Sequence, residues 1–469
     1  MSNVQSPGDG IAKSQLAASR PAVRIFDVLD HGAAGDGVAL DTAAIQRAID
    51  LAAAASDATH PAQVLLRGKH TFMCGTLNLR GGIDFHLADD ARLIVSADPK
   101  DFTRETMLYA NGARGLKLSG TGSINGRSRM FMKNFDAVDE WWIPKPWRAR
   151  LCELIACHDL EITGVRVEEA SFWAVHLMGC ERVLIDNVTI RNEMDVPNCD
   201  GIDPDHCRHV EIRNCDITCG DDAIVIKATK QPIDYGPSAH IVVKDCVLTT
   251  QDSGLKIGTE TTQDIHDIRF ERIKIRQGCR GLCIQLRDAG SVYNIDFHDI
   301  TFESRYFSDP WWGRGEAISF TAIPRLAGGT IGTIHDIHVR NVRGRAENSV
   351  RVNGSAQSRI RNVRLSDVDV TLGRWTRYPG GVYDNRPTTS CPDIEPHATS
   401  GFCIRHADNV ELDRCKVSWE EPVPAGFSHA VEASDVTGLS VTGFTGGAAH
   451  PDRDQAMMIE DSAKGQARQ

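Results

Sequence analysis

Apolar and polar positions alternate along most of this chain with a period of two. They come in short runs broken by a single Asn, Asp, Arg or Gly. The same phrase returns as HDLEITGVRV at 158, ERVLIDNVTI at 181, RHVEIRNCDI at 208, HIVVKDCVL at 240, HDIRFERIKI at 266 and YNIDFHDITF at 293. It continues as HDIHVRNVRG at 335, SRIRNVRLSDVDV at 358, DNVELDRCKV at 408 and TGLSVTGFTG at 437, with starts mostly 22 to 30 residues apart. A period of two predicts strand, and each phrase reads as two short strands joined at a turn. One such unit cannot bury its apolar face alone. Stacking the units does, with neighbouring strands about 4.8 Å apart. The pattern predicts an all-β, right-handed parallel β-helix. Its rival, a β-sandwich, would show more hairpin turns of the Asn-Gly kind, which are scarce. Asn187, Cys215, Cys246, Asn341, Asn362 and Cys415 fall at or beside the turns, where they are expected to stack as polar or thiol ladders.

One segment breaks the period. DTAAIQRAIDLAAAA, residues 41 to 55, reads as a helix with Asp41 as N-cap and Ile45, Ile49 and Leu51 as its apolar stripe. Such an N-terminal capping helix would shield the open end of the stack from edge pairing. Residues 1–20 read as a polar, disordered leader, 21–455 as a single domain and 456–469 as a polar tail.

Composition narrows the function classes. The net charge of −11 argues against nucleic-acid binding, which calls for a basic stripe. No apolar run has the length of a membrane span. The N-terminus lacks the apolar core of a secretory signal, so the expected location is cytoplasmic as the sequence stands, or periplasmic or secreted if a signal was removed. The 14 cysteines are scattered; Cys215/Cys219 and Cys279/Cys283, four apart, are a weak metal signal, and small buried core residues are the plainer reading. Free thiols in this number fit a reducing compartment.

Against this background NCDGIDPDHCRHVEIRNCDITCGDDAIVIK, residues 198 to 227, stands out, because it sets acids inside runs that otherwise read as buried strand. Asp200 and Asp203 form one cluster, and Asp221 and Asp222 form another about one coil later. Stacked coils would bring all four onto one patch. Crowded carboxylates raise one another's pKa, which is useful where one carboxyl must stay protonated and another ionised, as in glycoside hydrolysis. Taken singly, each of these aspartates is better explained as turn chemistry, and it is their combination on two successive coils that points to a catalytic site. Calcium is another use for clustered acids, but no EF-hand-type loop is present.

N-C-D-G-I-D at 198–203 followed by G-D-D at 220–222 resembles the paired motifs of glycoside hydrolase family 28, the polygalacturonases and their relatives. FDVLDHGAAGDGVALDTAAIQRAID, residues 26 to 50, resembles the start of many pectin-active β-helix proteins. The resemblance implies an inverting hydrolase with Asp221 as general acid and Asp200 and Asp222 activating water, the carboxyls being far enough apart to hold it. It implies a supporting role for Asp203 and a substrate contact for Asn198. Two family motifs depart. Where the family has G-H-G this chain reads Asp252-Ser253-Gly254, and where it has R-I-K this chain reads Cys283-Ile284-Gln285. The second loss removes the cationic grip on a galacturonate carboxylate, which changes the substrate more readily than the reaction class.

Ser253 and Gln285, in the two departed motifs, remain candidate substrate contacts, and replacements for that grip are sought in Lys227, Lys256 and Arg287. Each of these cations has an alternative reading as a solvated or turn-satisfying charge. Tryptophan clusters mark sugar-stacking loops: Trp141, Trp142 and Trp147 in DEWWIPKPWRAR, Trp311 and Trp312 in SDPWWGRGEAISF, and Trp173 near His176. Arg314 and Glu316 share the second loop and could bond sugar hydroxyls, whereas a lone His such as His176 is as readily structural. Loops at 125–150 and 305–316 are expected to wall a pocket, favouring exo attack on a pectic or related oligosaccharide, with no metal or organic cofactor. Two other classes stay open. A β-helix polysaccharide lyase would use a Lys or Arg base, and a non-catalytic carbohydrate-binding protein would keep the tryptophans but tolerate loss of Asp221.

Overall fold

Each coil turns on residues whose backbone is left-handed. In the computed structural model, which describes residues 23–57 and 60–460, two columns of such residues climb the molecule. One, near the start of each phrase, includes His209, His240, Asp267, Asn294 and Asp336; the other, between its two strands, includes Asn187, Asn214, Asp245, Asp299 and Asn341. Asn and Asp tolerate this region best, which is why they punctuate the sequence pattern. Their side chains link coil to coil: Asn341 Nδ2 donates to Asp299 at 2.5 Å and Asn362 Nδ2 to Asp336 at 2.8 Å. The cysteines make a separate ladder inside, where the thiols of Cys215 and Cys246 meet on successive coils. Cys215, Cys246 and Cys415 each follow a left-handed residue, so their Cβ atoms turn inward and they are buried.

Three parallel walls result. The first stacks Glu181–Asp186, Arg208–Arg213 and Ser238–Lys244. The second stacks Thr189–Arg191, Asp216–Thr218 and Val247–Thr249. The third stacks Val175–Met178, Ile202–Asp205, Ile224–Ala228, Ser253–Thr261, Arg280–Leu286 and Glu316–Ala322. The register sets like on like inside: Leu160, Val183, Val210, Ile241, Ile268 and Ile295 form one rung-to-rung column, all essentially inaccessible. Each such side chain contributes about 1.5–3 kcal/mol of burial free energy.

The helix Thr42–Ala55 lies against the first strands with Ile45 and Ile49 inward as expected, but Leu51 is not part of the stripe. Ala44, Ile45, Ala48, Ile49 and Ala52 face inward, while Leu51 is 49% exposed. The stripe is alanine-rich because the helix sits close to the coil. Asp41 caps no helix N–H; its carboxylate instead accepts from Ala34 N at 2.6 Å and Gly35 N at 3.1 Å, fixing the loop before the helix. At the other end Met457–Ile459 pairs with Val431–Ala433, so the stack runs past residue 455. Residues 1–20 and 461–469 lie outside the described residues. None of the 14 cysteines is disulfide-bonded, and only Cys391 is not buried. No helix among the described residues is long and apolar enough to cross a membrane.

Three insertions interrupt the coils, and all fold over the outer face of the third wall. They are an antiparallel hairpin, Met132–Asp136 with Trp141–Pro144, the loop 305–315, and the segment 374–397 with its small hairpin Val382–Asp384 and Ile394–Pro396. They hold one another. Tyr378 Oη donates to Glu140 at 2.5 Å, Ser308 donates to the Asp139 carbonyl, and Gly313 N donates to Asp384 Oδ2 at 3.0 Å.

Candidate active site

The acid motifs end up side by side because both precede strands of the third wall. The register that pairs Ile202 with Ile224 sets Asp200 against Asp222. The glycines of the motifs are sterically required. A Cβ on Gly220 would meet the Val196 carbonyl oxygen at 2.4 Å, and one on Gly201 would meet that of Ala223 at 2.3 Å. Asn198, itself left-handed, is clamped by Arg148, whose guanidinium donates to Asn198 Oδ1 at 3.0 Å and to the Pro197 carbonyl at 3.0 Å.

Asp200, Asp221 and Asp222 each place one oxygen within 4.8 Å of the others. This is closer than the wide gap expected for an attacking water. Backbone N–H groups of Asn198 and Asp222 donate to Asp221, at 3.1 and 2.9 Å. Two buried lysines supply the positive charge such a cluster requires. Lys256 Nζ donates to Asp222 Oδ2 at 2.7 Å, and Ser253 N donates to Asp222 Oδ1 at 3.2 Å. Lys227 Nζ stands 3.7 Å from each of Asp200, Asp203 and Glu260.

These contacts split the pKa values of adjacent residues. Burial, then the charges of Asp200 and Asp222, pushes Asp221 up to about 7. Burial acts to raise Asp222 as well, but Lys256 and Lys227 outweigh it and hold its carboxyl below the usual range. Burial raises Asp203 to about 7, and burial with the neighbouring Asp203 raises Asp200. The arrangement offers a proton donor and an ionised acceptor a few ångströms apart, the requirement for concerted acid–base chemistry.

A pocket of about 280 Å³ opens over these groups. Asn198, Lys227, Lys256, Trp173, Trp311 and Trp312 line it, as expected from the sequence, together with Trp141. Trp173 lies over Lys227 Nζ at 4.8 Å, and Trp141 meets Trp311 edge to face at 5.7 Å. Ser253 reaches the site only through its N–H on Asp222 and its hydroxyl on Asp252 Oδ1 at 2.9 Å.

Other expected contacts fall elsewhere. His176 sits behind Trp173, between Asp205 at 3.4 Å and Glu153 at 3.9 Å, and is a buried structural ion pair. Arg287 is buried and spends its donors on the Asn385 carbonyl and Thr321 Oγ1. Gln285 donates to the Arg386 carbonyl at 3.2 Å. Arg314 is turned onto the carbonyls of Trp311 and Gly313 and onto Asp384, and Glu316 accepts from Arg314 N at 2.7 Å. The segment 374–397 covers these residues; its reach back over the wall is a tertiary event with no local signal. Trp147 packs on Phe102 and Phe131, and Trp142 donates to Asp195, so neither lines the pocket.

The pocket also contains residues not anticipated as site residues: Asp252, Thr259, Glu260 and Pro310. Asp252 was findable. The register that sets Ile224 beside Leu255 sets Asp221 beside Asp252, so a third acid stands on the next coil. Burial, then Asp222, pushes it up to about 8.

Comparison with known proteins agrees with this architecture. Over 432 residues the chain is 24% identical to a probable polygalacturonase of Vitis vinifera, covering 83% of this chain and 85% of that one. It is 23% identical over 315 residues to an exopolygalacturonase of Zea mays, covering 60% of this chain and 75% of that one. Among solved structures, an exopolygalacturonase from Thermotoga maritima superposes with a TM-score of 0.62 at 19% identity, over 75% of this chain and 88% of that one. A family 28 exopolygalacturonase from Yersinia enterocolitica gives 0.62 at 16% identity, over 95% and 79%. These likenesses show the right-handed parallel β-helix. Residues 40–391 match the family described as Glycosyl hydrolases family 28, and the chain is a glycoside hydrolase belonging to that family.

Proposed function

We propose that this hydrolase cleaves a glycosidic bond in a pectic or related oligosaccharide from one end, with Asp221 as general acid and Asp200 and Asp222 activating water. The observation that carries the assignment is the unequal treatment of neighbours: Lys256 bonds Asp222 at 2.7 Å, whereas the Asp221 carboxylate receives only backbone N–H groups. Asp221 therefore keeps its proton for the leaving oxygen, and Asp222 stays ionised to take one from water. Asp203 supports Lys227 from below.

The exo reading rests on two insertions, the hairpin and the loop 305–315, whose Trp141, Pro310, Trp311 and Trp312 wall the pocket, with the segment 374–397 bracing them from behind. The relatives named as exopolygalacturonases support it, and their names support a pectic polysaccharide as substrate. A lyase needs an unprotonated Lys or Arg base. Lys227 and Lys256 are the cations in the pocket, and surrounding carboxylates hold both charged.

The short spacing of the carboxylates favours one further reading, a retaining double displacement. Against it, both oxygens of Asp222 are already engaged by protein donors, which suits a proton acceptor better than a nucleophile. The test of the assignment is product analysis by mass spectrometry. Wild type and Asp221→Asn are incubated with homogalacturonan, rhamnogalacturonan and xylogalacturonan oligosaccharides and neutral α-linked sugars. Hydrolysis adds one water in total, with wild type only. Unsaturated products would reassign the protein as a lyase, and binding without cleavage by either form would make it a lectin-like protein.

A further inference from the structure

We propose that the sugar ring entering the pocket beside Asp221 is neutral and carries no uronate carboxylate. This rests on the hydrolase reading and narrows its substrate. A uronate brings a negative charge into a partly dehydrated site and requires a cation there, preferably a guanidinium fork.

The charge census of the pocket runs the other way. Five carboxyl groups line it, on Asp200, Asp221, Asp222, Asp252 and Glu260, against two ammonium groups, on Lys227 and Lys256. Both ammonium groups are already engaged. Lys256 is bonded to Asp222 at 2.7 Å, and Lys227 has three carboxylates at 3.7 Å and the face of Trp173 at 4.8 Å. If Asp200, Asp221 and Asp252 all hold protons, the ionised Asp222 and Glu260 still balance both lysines. No positive charge is left over.

Arginines are close, but they are committed elsewhere. No arginine lines the pocket among the described residues. Arg148 is held on Asn198 Oδ1 and the Pro197 carbonyl at 3.0 Å each. Arg280 donates to the Asp384 carbonyl at 3.2 Å and stands 3.8 Å from Glu316 and 4.0 Å from Asp252, Arg287 donates to the Asn385 carbonyl at 3.1 Å, and Arg314 pairs with Asp384 at 3.2 Å. Arg280, Arg287 and Arg314 are buried beneath the segment 374–397. What the pocket does offer is carboxylate oxygens, which accept hydrogen bonds from sugar hydroxyls, and indole faces, which pack against sugar C–H groups. At C6 a hydroxymethyl group adds a further donor and C–H surface, whereas a carboxylate supplies neither and adds a negative charge.

The test uses the full chain and matched substrates. Chromogenic glycosides differing only at C6 are compared as hydroxymethyl, carboxylate and methyl-ester forms, in the galacto and gluco series. Alongside them, mixed pectic oligosaccharides ending in neutral or acidic sugars are digested and the released monosaccharide identified by mass spectrometry. The expected result is release of a neutral sugar, with kcat/KM about tenfold or more above the acidic counterpart, and recovery of that loss in the methyl ester. Release of uronic acid at an equal or higher rate would overturn the proposal while leaving the hydrolase reading intact. Release of neither sugar class would count against the hydrolase reading itself, and the proposal would go with it.

Discussion

Lys256 and Asp222, on neighbouring coils of the third wall, form a buried ion pair with Nζ 2.7 Å from Oδ2. Asp221, one residue earlier, has no such partner. This contact, with the charge of Lys227, holds Asp222 below the usual carboxylate range, while Asp221 is pushed up to about 7. Replacing Lys256 by Met should raise the Asp222 pKa. Activity at pH 5 should fall more than about tenfold, and the acid limb of the kcat/KM profile should move up by about one unit or more. A buried charge without its partner also costs about 3–5 kcal/mol, so a melting curve must accompany the pH profile. An unmoved acid limb in a folded variant would remove Asp222 from the base role.

Asp221→Asn should lower kcat about 10²–10⁴-fold on natural glycosides. The loss should be much smaller on aryl glycosides whose leaving group needs no proton. In wild type, kcat/KM should decline as pH rises through about 7, where Asp221 gives up its proton. Equal losses on both substrate types would assign the residue a structural role.

The stereochemical outcome follows from which carboxylate touches the anomeric carbon. Proton NMR of the first-formed product should show inverted anomeric configuration if Asp200 and Asp222 act through water. Retention would identify one of them as the nucleophile, in keeping with the 4.8 Å clustering.

The acid cluster also sets a pH dependence of stability. The folded chain holds the Asp252 proton up to about 8, whereas the unfolded chain releases it near 3.8. The native state thus binds more protons between those values, and stability declines as pH rises across them. Asp222 has the opposite sign: its contribution is present above its unfolded-state value and is lost as pH falls through its lowered one. Asp252→Asn, which keeps the shape and removes the titration, should stabilise the protein by about 1–3 kcal/mol at pH 8 and by little at pH 4. Thermal melts at the two pH values decide this.

The two adjacent tryptophans should separate function from folding. Trp311 is 2% exposed and packs against Phe307, Cys279 and Trp141, so Trp311→Ala should cost about 3–5 kcal/mol. Trp312 is half-buried at the pocket wall, so Trp312→Ala should raise KM with little change in melting temperature. Thermal melts and Michaelis curves for the pair check both halves.

The coil phrase and the acid spacing determine much of this protein by themselves. Alternation with a period of two, broken by residues that tolerate left-handed backbone, leaves little choice but stacked coils. Once coils stack, Asp200 and Asp222 must be neighbours. On the next coil the register sets Asp252 beside Asp221. The tertiary structure decided what covers the third wall. Arg287, Gln285 and Arg314 occupy positions that would face a groove, yet the segment 374–397, about a hundred residues away in sequence from Arg287, folds over them and supplies them with carbonyls and the Asp384 carboxylate. A repeat constrains only nearest coils, because each coil touches only its neighbours. The insertions obey no such rule, and they decide which charges a substrate meets.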